Sequence, residues 1–248
     1  SAKSKPLGNR SDLRNIPLIT IDGADSRDFD DAVFAEPDTD KKNPEGWHLI
    51  VAIADVAGYV TTGDALDNEA RSRGNSVYFP DRVVPMLPEA LSNGLCSLVP
   101  NEERPCLAAH LWIDKKGHLL RHLFVRGLMQ SHARTTYEQI QAARDGYPDE
   151  LTAPLVDSVI GPLYGAFRVL DTYRQERNAL ELDMPERKVE IGEDGKIASI
   201  VPRQRLDSHK LIEEFMITAN VAAAQSLEKN KQPCMYRIHD QPSMEKME

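Results

Sequence analysis

Pro17-Leu-Ile-Thr-Ile-Asp-Gly-Ala-Asp-Ser-Arg-Asp-Phe-Asp-Asp-Ala-Val33 runs from a short apolar, β-branched segment into a knot of carboxylates and back into apolar residues. Pro17 to Ile21 reads as a strand, and the return at Ala32-Val33 as the start of another, so a neighbouring strand pair carries the acids between them. Asp22, Asp28, Asp30 and Asp31 stand out because like charges rarely crowd at a strand end beside a core. In an extended chain Asp28 and Asp30 point to one side and Asp31 to the other unless the backbone turns, and Gly23 offers a bend. Each pair brought to about 4 Å would repel by roughly 4 kcal/mol at an effective dielectric of 20. A bound cation or raised pKa values would relieve that repulsion.

Two readings of the cluster follow: a solvated acidic turn, or an oxygen-only site for a hard cation, for which Mg²⁺ or Mn²⁺ fits a few carboxylates that leave room for water and phosphate oxygens. Phosphodiester hydrolysis is the chemistry natural to the second. Spacing excludes an EF-hand, since counting Asp28 as the first loop position puts Val33 where Gly is needed and Thr39 where the bidentate Glu belongs.

Working outward, Trp47 to Ile53 predicts a fuller strand, buried on both faces, with a surface loop over Glu36 to Gly46 before it. Ala65 to Arg73 and Leu87 to Gly94 read as short helices, the second stopped by Asn93-Gly94 in a left-handed turn. Leu107 to Ile113 and His118 to Leu128 pair across a Lys115-Lys116-Gly117 turn. Leu155 to Arg177 is helical, bent near Gly161-Pro162, and Val189 to Ile191 with Ile197 to Val201 form a hairpin around Glu193-Asp-Gly195. The strongest helix is last: Asp207 caps a run in which Leu211, Phe215, Ala219 and Ala222 make one apolar stripe. Strands and helices mix without βαβ alternation, which favours an α+β fold, a mixed sheet flanked by helices. Residues 1 to 12, polar with Pro6 and Gly8, read as a flexible lead-in, and residues 13 to 248 as one domain.

With 248 residues and 41% hydrophobic composition the chain can bury a sizeable core. No apolar run approaches the roughly 20 residues that span a bilayer, which with the polar start predicts a cytoplasmic protein without a membrane partner. Cys96, Cys106 and Cys234 form no C-x-x-C pair and read as reduced thiols. The net charge of −9 argues mildly against a nucleic-acid partner. Lys115 to Arg134, however, contains Lys115, Lys116, Arg121, Arg126 and Arg134 with three histidines and no acid, either a solvated face or a local phosphate track. His118 and His122, four apart, lack the Glu of a zinc-protease helix and fall on a strand.

A series of ordered blocks raises the acidic stretch above a lone match. After Thr20-Ile-Asp-Gly-x-Asp-x-Arg-Asp-Phe-Asp-Asp-Ala32 come Val51-Ala-Ile-Ala-Asp-Val56, Leu66-Asp-x-Glu-Ala-Arg71, Arg73-Gly-Asn-Ser-Val-Tyr-Phe-Pro80 and Pro85-Met-Leu-Pro-Glu-x-Leu-Ser-Asn-Gly-Leu-Cys-Ser-Leu98. Ser131-His-Ala-Arg-Thr-Thr-Tyr137, Lys210-Leu-Ile-Glu-Glu-Phe-Met-Ile-x-Ala-Asn220 and Tyr236-Arg-Ile-His-Asp240 complete the set. In this order they resemble the RNase II/RNase R catalytic (RNB) domain, nearest its RNase R branch, over roughly residues 11 to 248.

The resemblance implies a hydrolytic 3′-to-5′ exoribonuclease that degrades single-stranded RNA to nucleoside 5′-monophosphates. It places Mg²⁺, with Mn²⁺ as the substitute, on Asp22, Asp28, Asp30 and Asp31, with Asp28 and Asp30 as the catalytic pair and Asp25 outside the ligand set. Tyr137 becomes the aromatic clamp for the RNA 3′ end, with Arg134, Glu213 and Glu214 as further RNA-channel residues. Arg73, Tyr78, Arg237 and His239 are channel or supporting groups on the same basis. Met184-Pro-Glu-Arg-Lys-Val189 lacks the aromatic residue that family members carry there. The family's catalytic arginine block and the flanking cold-shock and S1 domains lie outside these 248 residues, which predicts a domain cut short before its C-terminal end within a longer polypeptide. The competing reading is a non-catalytic RNA-binding regulator built on an RNB fold, against which the retention of all four aspartates speaks.

Overall fold

The computed structural model describes residues 8–177, 187–192, 195–202 and 204–236. Its centre is a seven-stranded mixed sheet built from β1 (Ser11–Asp12), β2 (Ile19–Asp22), β3 (Asp31–Pro37), β4 (Trp47–Ala54), β7 (Glu103–Ile113), β8 (Leu119–Gln130) and β9 (Ala133–Thr136). The order across the sheet is β1-β8-β7-β4-β3-β2-β9, antiparallel from β8 to β2 and parallel at both edges. The central strand is β4, and Leu49, Ile50, Val51 and Ala52 are all buried, because both faces of the sheet are covered.

On one face, Ile19, Ile21, Val33, Leu49, Val51 and Leu111 pack against three helices, α2 (Tyr137–Arg144), α3 (Gly161–Glu176) and α4 (Asp207–Lys229). Helix α3 lies close enough that a Cβ at Gly165 would stand 2.3 Å from the Trp47 ring, so only glycine allows this approach. The stripe Leu211, Phe215, Ala219 and Ala222 is the buried side of α4, as its 3.6-residue period requires. On the other face, Ala32, Phe34, Ile50, Ala52, Ala108 and Met129 pack against Leu13, Leu18, Phe29, Leu91 and Leu98, which arrive on connecting segments. Further elements among the described residues are α1 (Ala65–Arg73), capped by the Asp64 side chain, a hairpin of β5 (Val77–Tyr78) and β6 (Val83–Val84), a hairpin of β10 (Arg187–Ile191) and β11 (Ile197–Pro202), and short helical turns such as Val56–Gly58 and Ala153–Leu155.

The expected β7–β8 hairpin forms, with Gly117 at φ +86° in its turn. Three expectations are corrected. Residues 11 and 12, assigned to the flexible lead-in, form β1 against Gly127 and Leu128, and Arg10 pairs with the buried Asp55 at 2.6 Å. Gly94 does not terminate a helix in a left-handed turn; it lies inside a wide turn, Ala90–Leu95, where Cys96 N–H donates to Leu91 C=O at 2.8 Å so that both Leu91 and Cys96 reach the second core. Asp207 is the first helical residue rather than the cap, because its carboxylate is drawn into an ion pair with Arg144 of α2 at 2.5 Å. The Met184 stretch and the Glu193-Asp194 turn fall outside the described residues, as do Arg237 and His239.

The basic run from Lys115 to Arg134 does not form one stripe. Arg121 lies 3.6 Å over the Trp112 ring on one face of the sheet, whereas His122 meets Ser226 of α4 on the other. Lys115 pairs with Glu45 and His118 with Asp114 at the turn. Alternation along a strand separates charges that the linear sequence groups together.

Candidate functional site

The four aspartates converge on one end of the sheet, at the close of β2 and the opening of β3. Residues 26 to 30 between these strands have no regular secondary structure, so their directions are set by anchors rather than by a ladder. Phe29 is one anchor, 5% exposed in the second core, which turns its neighbours Asp28 and Asp30 away from that core. Backbone bonds from Leu98 N–H to Phe29 C=O and from Ala54 N–H to Asp30 C=O, each 2.9 Å, hold the chain on either side. Arg134 is a second anchor: its guanidinium donates to the carbonyls of Ala24 and Ser26 at 3.2 Å and lies over the Phe29 ring at 4.6 Å. It braces the loop through carbonyl groups and, among the described residues, forms no ion pair with a carboxylate.

Asp22 accepts from its neighbour's backbone, Gly23 N–H, and from the Ser26 hydroxyl, both at 2.7 Å. Asp28 accepts from the Tyr78 hydroxyl at 3.3 Å, and burial with the charge of Asp28 raises the pKa of that phenol. Asp30 is exposed as a residue, yet the protein crowding its carboxylate, followed by the charges of Asp28 and Asp22, pushes its pKa up to about 6. Asp31 is more extreme: burial first, then Asp22 and Asp30, push it up to about 7. Its Oδ2 is buried with no hydrogen-bond partner. Among the described residues no lysine or arginine forms an ion pair with any of the four.

That combination fits a hard divalent cation: oxygen donors only, mutual repulsion, and one buried oxygen left unsatisfied. The carboxylates nevertheless stand apart. Among the described residues no three acidic, imidazole or thiol side chains are close enough to chelate one ion as they stand. The aspartates expected as ligands form a crowded acidic neighbourhood rather than a ready chelate.

Tyr137 opens α2, directly after Thr136, which pairs with Asp22 across β2 and β9. This register brings the tyrosine to the acidic end of the sheet. Its ring stacks on His209 of α4 at 4.0 Å and 16°, a contact between residues 72 positions apart that no local pattern in the sequence signals. Glu213 and Glu214 prove unequal: Glu214 is 3% exposed and paired with Arg174 at 2.6 Å, while Glu213 is partly exposed and pairs with Arg205 at 2.5 Å. Glu214, expected as an RNA-channel residue, is instead buried and held by Arg174 of α3. Arg73 bonds Glu69 and the Pro85 carbonyl and holds α1 to the segment after β6. Among the described residues no helix is long and apolar enough to cross a membrane.

The RNB domain family model matches residues 10–248. The chain is 49% identical over 238 residues to Ribonuclease R of Escherichia coli (strain K12), covering 95% of this chain and 29% of that protein. It is 50% identical over 235 residues to Ribonuclease R of Vibrio parahaemolyticus, covering 94% and 28%. The chain thus spans under a third of the length of these relatives. Among solved structures, Mycoplasma genitalium RNase R in complex with ribose methylated single-stranded RNA superposes with a TM-score of 0.91 at 28% identity, covering 99% of this chain and 38% of that one. Sequence blocks, sheet order and these matches agree over nearly the whole chain, and the chain belongs to the RNB domain family.

Proposed function

We propose that this chain supplies the aspartate-bearing part of a hydrolytic 3′-to-5′ exoribonuclease that acts on single-stranded RNA and releases nucleoside 5′-monophosphates. The observation that carries the reading is Asp31: a buried carboxylate with an unpartnered oxygen, crowded by Asp22 and Asp30, in a chain similar to ribonucleases. The RNA-bound structural relative supports single-stranded RNA as the substrate class.

Asp22, Asp28, Asp30 and Asp31 would hold Mg²⁺, or Mn²⁺ in its place. Such an ion would polarise the scissile phosphodiester and stabilise charge on the leaving oxygen. Asp30, whose carboxylate is crowded by Asp28 and Asp22, would be relieved of that repulsion by the bound ion and is one member of the catalytic pair. Asp28 is its partner in the catalytic pair, oriented by the Tyr78 hydroxyl. Tyr137, backed by His209, would pack against the 3′-terminal nucleotides, which needs no sequence readout because every base has a face to stack on. Arg134 braces the aspartate loop, and Glu213 borders the RNA path. The arginine of the family's later block, and the flanking cold-shock and S1 domains, would come from elsewhere in the longer polypeptide.

The full-length gene product, given 3′-extended single-stranded RNA and Mg²⁺, is expected to release monophosphates, and Asp30→Asn to slow release by on the order of 10²–10³-fold or more. Release by the variant at the unmodified rate would refute the role of the cluster. The 248 residues alone are expected to bind divalent ions with feeble turnover.

A further inference from the structure

Ser97 is fully buried, at 0% exposure, and sits 70 positions in sequence from the segment its hydroxyl touches. Phe29 N–H donates to its Oγ at 3.0 Å, and the same Oγ donates to the Arg27 carbonyl at 3.3 Å. One hydroxyl thus ties the backbone on both sides of Asp28 and immediately before Asp30. The serine is itself held: Arg104 Nε donates to the Ser97 carbonyl at 2.9 Å, and Arg104 is kept in place by an ion pair with Glu102 at 2.8 Å. Leu98, the next residue, donates its N–H to Phe29 C=O.

Because residues 26 to 30 lack a strand ladder, these bonds do the work that sheet pairing would otherwise do. A hydroxyl suits the task. It accepts one bond and donates another from a single atom. Leaving the buried Phe29 N–H without its acceptor carries a desolvation cost, which favours a shift of the backbone that carries Asp28 and Asp30.

We infer that Ser97 is a positioning residue for the aspartate cluster: buttressed by Arg104, its hydroxyl fixes the backbone that carries Asp28 and Asp30, the residues that would hold the divalent ion. The inference rests on the reading of those aspartates as holders of the ion. Supporting groups of this kind typically contribute 10–100-fold to metal affinity.

The test is Mn²⁺ binding followed by electron paramagnetic resonance, with thermal melting in chelator alongside, on the unmodified chain, Ser97→Ala, Ser97→Cys and Ser131→Ala. Ser131 is as buried, and its hydroxyl bonds the Ala133 carbonyl away from residues 27–30, so Ser131→Ala controls for loss of a buried hydroxyl. Expected is about tenfold or greater weakening of Mn²⁺ binding in both Ser97 variants, with Ser131→Ala melting lower but binding as the unmodified chain does. Affinity within twofold of the unmodified chain in either folded Ser97 variant overturns the positioning role. Failure of both to fold also overturns it, making Ser97 a determinant of the fold alone. Absence of Mn²⁺ binding in the unmodified chain overturns the metal reading beneath it, a result distinct from the others.

Discussion

Two acidic sites on this protein look alike in sequence and are opposites in structure. At one end of the sheet Asp22, Asp28, Asp30 and Asp31 crowd together with no ion pair to an arginine or lysine among the described residues, and Asp31 is pushed up to about 7. On α4, Glu213 and Glu214 are each met by an arginine, Glu214 by Arg174 of α3 and Glu213 by Arg205. The pairing also raises the pKa of Arg174, chiefly through its bond to Glu214. A paired acid holds two helices together. An unpaired, crowded acid weakens the fold, and the chain's similarity to ribonucleases gives a reason for keeping it.

The contrast breaks most sharply at Arg174. Arg174→Ala leaves the buried Glu214 without its partner and is expected to destabilise the chain by about 3–5 kcal/mol in denaturant unfolding, because breaking one side of a buried pair costs more than the pair contributed. A loss below about 1 kcal/mol would mean that the two sites do not differ in the way described.

Asp31 should behave in the opposite sense. Its folded pKa, about 7, lies above the ordinary value of 3.8, so the folded state binds the proton more tightly than the unfolded chain. The associated stability is complete below about pH 4 and is lost as pH rises through about 7. Metal-free at pH 8, Asp31→Asn should therefore melt higher than the unmodified chain, by about 2–4 °C for each kcal/mol relieved, and should show a flatter stability profile between pH 4 and 7. Added Mg²⁺ should raise the melting temperature of the unmodified chain and not of the variant. A variant that melts lower in chelator would contradict a destabilising role for the crowded Asp31.

Glu213 sharpens the comparison at its weak end. Partly exposed against a partly exposed Arg205, it is expected to contribute under about 1 kcal/mol, so Glu213→Gln should barely shift the unfolding midpoint and should do so less as salt rises.

Much of this was legible beforehand. The return from acids to Ala32-Val33 located β3, continuous apolar character located the doubly buried β4, and helical spacing located the buried side of α4 down to Ala222. The candidate site was legible as a set of residue types and, through the family blocks, as a set of positions. The Asn93-Gly94 signal and the Asp207 cap misled for one reason: a local propensity worth about 1 kcal/mol gave way to packing of Leu91 and Cys96 and to the Arg144 ion pair. Ser97 lay inside a recognised block without any sign of its task, since its partners are 68 and 70 positions away.

The sequence by itself determined the inventory: four aspartates at a strand end, a tyrosine after Ala133-Arg-Thr-Thr136, two glutamates on a helix, and membership in a family through the order of its blocks. Periodicity and composition are local properties, and local elements follow from them. Only the tertiary structure decided which acids are neutralised and which repel, that Arg134 braces a loop, and that His209 backs Tyr137. Those outcomes depend on distances between residues far apart in the chain, and the charge state of a carboxylate is set by what surrounds it in space.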